Sequence, residues 1–171
     1  MAKISDQVVQ EDDKNEFDIS VLKNPVFPVN MRLYRTSPFY RQIIMDCIQY
    51  MESHLNMTFE DYHNQRGISG AELGLPWNII AYKHGQKKKF CLNPKIIRRS
   101  DEGVETETKC GALKLDKGIK VFRHSFIDLE YFDTRGQKIV EKNIGRNEGG
   151  FTVQHSVDHN YGIGIRDREI K

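Results

Sequence analysis

The order of helix-prone and strand-prone stretches constrains the fold of this chain more than any other feature of its sequence. Residues 37–55 have a helical pattern, because Ser37 can cap and Pro38 can begin a helix whose apolar side chains recur every three or four residues. Short runs rich in β-branched and aromatic residues follow, namely WNIIAY, KFCLN, KGIKVF, SFIDLEYF and QKIVEK. After this helix, the runs therefore predict a mostly antiparallel sheet.

Length and charge limit the remaining possibilities. The 171 residues can build one domain, which we expect over residues 17–171, after a poorly ordered polar arm at residues 1–16. A net charge of +2 without a dense basic patch argues against a nucleic-acid partner. No apolar stretch approaches the ~20 residues that span a bilayer, and the first residues lack a signal peptide. We therefore expect a cytoplasmic protein with reduced thiols, of which Cys47 and Cys91 lie in apolar patterns.

Two histidines near the end of the sequence suggest a metal site. FTVQHSVDHN predicts a helix that Asn147 would cap and Gly162 would end, with His155 and His159 four residues apart on one face. Such a pair can share one ion, but two packed or surface imidazoles explain the pair alone equally well. Cys110 is a candidate third ligand because it lies in the polar segment ETKCGAL. Asp158 would either orient a ligand or be solvated.

Three separated segments resemble the motifs of the peptide deformylase family, the metal hydrolases that remove the formyl group from the N-terminal methionine of new chains. GISGAELG at residues 67–74 is similar to G-L-A-A-x-Q followed by an apolar residue and Gly. KCGAL at residues 109–113 lies where the family has E-G-C-L-S, and QHSVDHNYG at residues 154–162 resembles Q-H-E-x-D-H-L-x-G. The resemblance extends over roughly residues 20–168. It implies an α+β fold with a partly open antiparallel sheet around a central metal-binding helix, and with an amphipathic helix near the N-terminus.

The resemblance also implies roles for individual residues. Cys110, His155 and His159 would hold Fe²⁺ or Zn²⁺, with a water molecule at the open position. The backbone N–H of Gly111 would donate to an oxyanion. A pocket for the methionine side chain would be formed by Gly67, Phe151 and Thr152. The chain ends soon after this helix, as do short members encoded by phages, and we expect a monomer, located in the host cytoplasm if a phage encodes it.

Two departures from the family motifs concern residues that act in catalysis. Ser156 replaces the glutamate that moves protons in the family, and a hydroxyl cannot act as a general base near pH 7. Glu72 replaces the oxyanion-binding glutamine, so it could repel the oxyanion, supply the missing base from the opposite wall, or be a solvated loop residue.

Two functions therefore stay open. The first is a metal-dependent amide hydrolase that acts on N-formylmethionyl peptides or nascent chains near the ribosome. The second is an inactive relative that keeps the metal and binds a peptide terminus or a protein partner. Hydrolysis of another amide or ester is a smaller possibility, because a fold does not fix a substrate.

Overall fold

The computed structural model describes residues 26–61, 67–85, 87–110 and 118–170, and for residues 56–61 it describes the backbone alone. The arm predicted at residues 1–16 lies outside this range. Among the described residues, no helix combines the length and the apolar character that crossing a membrane requires.

The described residues contain three α-helices. They are α1 (Met31–Thr36), α2 (Pro38–Asp61) and α3 (Gly150–Asn160). Helix α2 begins directly after Ser37, whose Oγ accepts a hydrogen bond from the N–H of Tyr40 at 3.2 Å. Its buried side chains recur at helical spacing: Ile44, Ile48, Met51 and Leu55. These positions form the face that packs onto the sheet.

The seven strands in the described part of the chain all pair antiparallel. They are β1 (Gly67–Ser69), β2 (Ile79–His84), β3 (Lys87–Arg99), β4 (Gly103–Thr108), β5 (Ile119–His124), β6 (Phe126–Phe132) and β7 (Lys138–Gly145). A five-stranded sheet has the order β1-β2-β3-β6-β7, and β4 pairs with β5 in a separate two-stranded sheet. The architecture confirms the predicted α+β class with open antiparallel sheets.

Strand β3 is longer than the KFCLN run predicted, because it continues past a proline through a bulge. Asn93 adopts a φ of 53°, and the register with β6 shifts between Leu92 and Lys95. Pro94 has no N–H to give to the ladder, so an irregularity at this point allows the strand to continue. The Asn93 side chain also bonds Val29, accepting from its N–H at 2.7 Å and donating to its carbonyl at 2.8 Å.

Strand β2 supplies both sides of the core. Ile79 and Ala81 pack in the cluster that contains the buried face of α2, whereas Ile80 and Tyr82 pack with Val153 and Val157 of α3. A smaller cluster contains Ala71, Cys110, Val121 and Ile165. Almost every side chain of α3 is buried, including its polar ones. Helix α3 is therefore an interior element, and its histidines lie inside the protein.

Candidate metal centre

Helix α3 is fixed at both ends. It begins at Gly150 after Gly149, which has a φ of 92°, and the predicted cap at Asn147 is wrong because Asn147 lies in a 3₁₀ turn over Arg146–Glu148. The predicted end at Gly162 agrees with the structure: its φ is 75°, and its N–H bonds the carbonyl of His159 at 2.9 Å. The N–H of Ile163 bonds the carbonyl of Asp158 at 2.9 Å, which completes a Schellman motif.

Four buried side chains meet at this helix. His155 Nε2 lies 3.1 Å from His159 Nε2, and Cys110 Sγ lies 3.4 Å from the same atom. Glu72 Oε1 is 4.0 Å from His159 Nε2. All four donor atoms lie within 4.8 Å of one another, and none of the four residues is more than 8% exposed. The structure thus brings together the three predicted metal ligands and Glu72.

The chemistry of these donors fits a divalent ion. A tetrahedral ion bound at ~2.0–2.1 Å holds two nitrogen ligands about 3.3–3.4 Å apart, which is close to the 3.1 Å between the two imidazoles. One thiolate with two imidazoles suits zinc and iron, and a carboxylate oxygen is also an accepted ligand. The residues present therefore form a candidate metal-binding group.

The surroundings of His155 keep its imidazole neutral. Burial, then the neighbouring His159, then the guanidinium of Arg123 hold the pKa of His155 well below its usual value. Arg123 Nη2 lies 3.3 Å from His155 Nδ1, on the ring nitrogen that faces away from the cluster. Neutral imidazole is the form that binds metals, so His155 is in the charge state that a metal ligand requires.

Asp158 forms an ion pair with Arg123, the residue that lies beside His155. Its carboxylate accepts hydrogen bonds from Arg123 Nη1 at 3.0 Å and from Arg168 Nη2 at 2.8 Å. The solvated alternative is wrong, because Asp158 is only 7% exposed. Burial lowers the pKa of Arg123, and the attraction of Asp158 opposes that effect. Asp158 therefore holds in place a buried cation that borders a candidate ligand.

Glu72 is held in a 3₁₀ turn formed by Ala71–Leu73. The solvated-loop alternative is wrong, since Glu72 is 6% exposed and bonds Ser69. Asn160, directly after His159, accepts a hydrogen bond from the N–H of Ala71 at 3.3 Å and so ties this turn to α3. Ser69 and Asn160 were not among the site residues predicted from the sequence. Both depart from the family motifs, which have Ala and Leu at these positions, and that departure was the available signal.

The other predicted site residues occupy different places. Ser156 is 1% exposed, and its Oγ has no hydrogen-bond partner within the described part of the chain. A Cβ added to Gly67 would lie 2.5 Å from Thr152 Cγ2, so these two residues are in contact. Phe151 packs under Arg146, with the guanidinium carbon 5.6 Å from the ring centre. Gly111 lies outside the described residues.

A cleft of about 370 Å³ also borders α3, and it is not the predicted substrate pocket. Its walls include Arg123, His124, Gln154, Asp158 and Arg168. Neither the four-residue cluster nor the predicted methionine pocket contributes to these walls, which are mostly polar. The cleft therefore lies against the ion pairs of Asp158 and does not reach the candidate ligands.

Comparison with known proteins decides the family. The protein-family model described as polypeptide deformylase matches residues 7–171. This chain belongs to the peptide deformylase family. Among curated family members, the peptide deformylase of Streptococcus agalactiae serotype Ia is 36% identical over 83 residues. That match covers 47% of this chain and 40% of the relative's own length.

Solved peptide deformylase structures share the fold. The enzyme from Thermotoga maritima superposes with a TM-score of 0.69 at 22% identity, covering 88% of this chain and 92% of that one. A class I type b peptide deformylase from Acinetobacter baumannii gives 0.68 at 20% identity, with coverage of 87% and 92%. The resemblance inferred from the sequence motifs is thereby confirmed, as is the α+β fold with open antiparallel sheets that it implied.

Proposed function

We propose that this chain is a metal-dependent hydrolase that removes the formyl group from N-terminal formylmethionine of peptides or nascent chains. The observation that carries this proposal is the buried cluster of Glu72, Cys110, His155 and His159 in a chain of the peptide deformylase family. The similar Acinetobacter baumannii structure has Met-Ala-Ser bound. A peptide that begins with methionine is the product that such a reaction would release.

In this proposal Cys110, His155 and His159 hold one Fe²⁺ or Zn²⁺ ion. When bound, the ion supplies Lewis acidity to the formyl carbonyl and lowers the pKa of a coordinated water molecule. The N–H of Gly111, the residue after Cys110, donates to the oxyanion. Gly67, Phe151 and Thr152 contact the methionine side chain.

Glu72 replaces the missing base in this mechanism. Its Oε1 lies 4.0 Å from His159 Nε2, so the carboxylate lies beside the candidate ligands. Oε1 accepts a proton from the attacking water and delivers it to the nitrogen of the leaving amine as the C–N bond breaks and formate departs. Ser156 cannot perform this transfer, because its hydroxyl does not lose a proton near neutral pH.

The same contact favours a second candidate function. Glu72 Oε1 is near enough to His159 Nε2 to complete a set of four protein ligands around one ion. Closed four-ligand sites are typical of structural metals, whereas catalytic sites keep one position open. A chain with a closed site would bind a peptide terminus or a protein partner without turnover.

Four proteins distinguish the two functions: the parent and the variants Glu72→Gln, Ser156→Glu and Glu72→Gln/Ser156→Glu. Their deformylation of a formyl-Met peptide is measured at equal metal content. If Glu72 is the base, Glu72→Gln lowers kcat by about 10²–10⁴-fold, and the double variant recovers activity because it restores both family residues. A faster Glu72→Gln variant would show that Glu72 only repels the oxyanion. Metal-loaded Ser156→Glu without turnover would support the second function.

The proposed substrate also indicates a place of action. Formylmethionyl chains emerge from ribosomes, so the proposal includes a cytoplasmic location and a monomer that works near the ribosome. Gel filtration tests the monomer, and co-sedimentation with purified ribosomes tests the location.

A further inference from the structure

We propose that Ser69 is a positioning residue that holds Oε2 of Glu72 and so directs Oε1 toward the reacting groups. This inference rests on the proposed role of Glu72 as the base. Its support is the hydrogen-bond pattern between the two residues, which lie three positions apart at the end of β1 and in the following 3₁₀ turn.

The two residues form a closed reciprocal pair. The N–H and the Oγ of Ser69 both donate to Glu72 Oε2, at 2.7 Å and 2.9 Å. In return, the N–H of Glu72 donates to Ser69 Oγ at 3.2 Å. The bonds between backbone and side chain have the pattern of a capping box. The hydroxyl bond between the two side chains adds a third restraint.

These bonds determine which oxygen of Glu72 faces the candidate ligands. Oε2 is held by both donors of Ser69, its N–H and its hydroxyl. Oε1 takes part in neither bond and lies 4.0 Å from His159 Nε2. Ser69 therefore directs Oε1 toward the cluster.

Burial and a second anchor keep this geometry rigid. Ser69 is 0% exposed and Glu72 is 6% exposed, so no bulk water competes for these bonds. Asn160 connects the same turn to α3, because its Oδ1 bonds the Ala71 N–H and its Nδ2 donates to the carbonyl of Ile79 at 3.1 Å. The 3₁₀ turn that carries Glu72 and helix α3 together therefore set the distance from the Glu72 carboxylate to His159.

The family motif supports the pairing of the two residues. The motif has Ala at the position of Ser69 and Gln at the position of Glu72. An alanine has no side-chain donor for Oε2, so this chain carries both a new carboxylate and a new hydroxyl that holds it.

The test introduces Ser69→Ala into the parent and into the Glu72→Gln/Ser156→Glu double variant. In the parent, the substitution should lower kcat by about tenfold, which corresponds to one displaced catalytic hydrogen bond, and leave KM within about twofold. In the double variant, where position 156 carries the base, Ser69→Ala should change kcat by less than about twofold. Elemental analysis must give equal metal content in the parent, in the double variant and in the Ser69→Ala form of each.

A second measurement does not depend on activity. Amide hydrogen exchange in the metal-free protein reports the bond from the Glu72 N–H to Ser69 Oγ, and Ser69→Ala should speed exchange at residue 72 by about tenfold. Unchanged exchange would overturn the reciprocal pair. An equal loss of kcat in both backgrounds, or no loss in the parent, would overturn the positioning role while leaving the proposed function intact. A metal-loaded parent without any turnover would overturn both.

Discussion

Removing the carboxylate of Asp158 should destabilise this protein far more than removing one of its two partners. Arg123 is 3% exposed in its side chain and Arg168 is 43% exposed. In Asp158→Ala, Arg123 stays in the interior as a charge without a counter-ion, which typically costs ~3–5 kcal/mol. In Arg168→Ala the buried pair survives, and an exposed ion pair contributes only ~0–1 kcal/mol.

Urea unfolding of the metal-free protein measures the difference. For a chain of this size, a loss of ~3–5 kcal/mol in the free energy of unfolding corresponds to a decrease in Tm of roughly 6–20 °C in a thermal melt. Adding Arg123→Met to Asp158→Ala removes the unpaired charge, so the double variant should recover most of the loss. If Asp158→Ala is no less stable than Arg168→Ala, then Arg123 reaches solvent or another partner, and the assigned role of Asp158 is wrong.

Three further predictions concern the candidate ligand, the core and the sheet. Cys110→Ser should lose most of the bound metal in elemental analysis, and added Zn²⁺ should no longer raise its Tm as in the parent. Leu129→Ala, at a fully buried position, should cost ~2–5 kcal/mol, whereas Val140→Ala, at a 45% exposed position, should cost less than ~0.5 kcal/mol. Burial alone would raise the pKa of Glu141, but hydrogen bonds from Lys89 and Tyr131 outweigh burial and lower it. The stability that ionised Glu141 contributes is therefore present above its unfolded pKa and lost as pH falls through the lowered folded pKa, so Glu141→Gln should flatten the acid limb of a denaturation series.

Local chemistry made part of this structure predictable. The apolar run that became β2 is buried on both faces, and the glycine at position 162 supplies the left-handed residue that ends α3. Side chains at i and i+4 meet on any helix, so the approach of His155 to His159 needed no knowledge of the tertiary structure. Cys110 could be proposed because of its residue type and its polar flanks, and the family resemblance supported that choice.

Other features depend on contacts between distant residues. Strand β4 has the sequence GVETET, with few apolar residues, and its place follows from hydrogen bonds to β5 along its length. Asn147 looked like a helix cap, but Glu148 bonds the N–H of Gly145 at 2.6 Å and forms a separate 3₁₀ turn. The side-chain bonds of Ser69 could not be foreseen, because they require the turn geometry that places Glu72 Oε2 beside it.

The almost complete burial of α3 has a consequence for how this site can change in evolution or in the laboratory. A polar side chain in the interior is tolerated only while its partner remains. A substitution on this helix therefore leaves a buried residue on another element without its hydrogen bond. Asn160 bonds the turn that holds Glu72, and Asp158 bonds a strand arginine. Substitutions here are therefore expected to be accepted in pairs across elements. Variants in which the family motif is restored one residue at a time should be less stable than variants in which the paired positions are restored together.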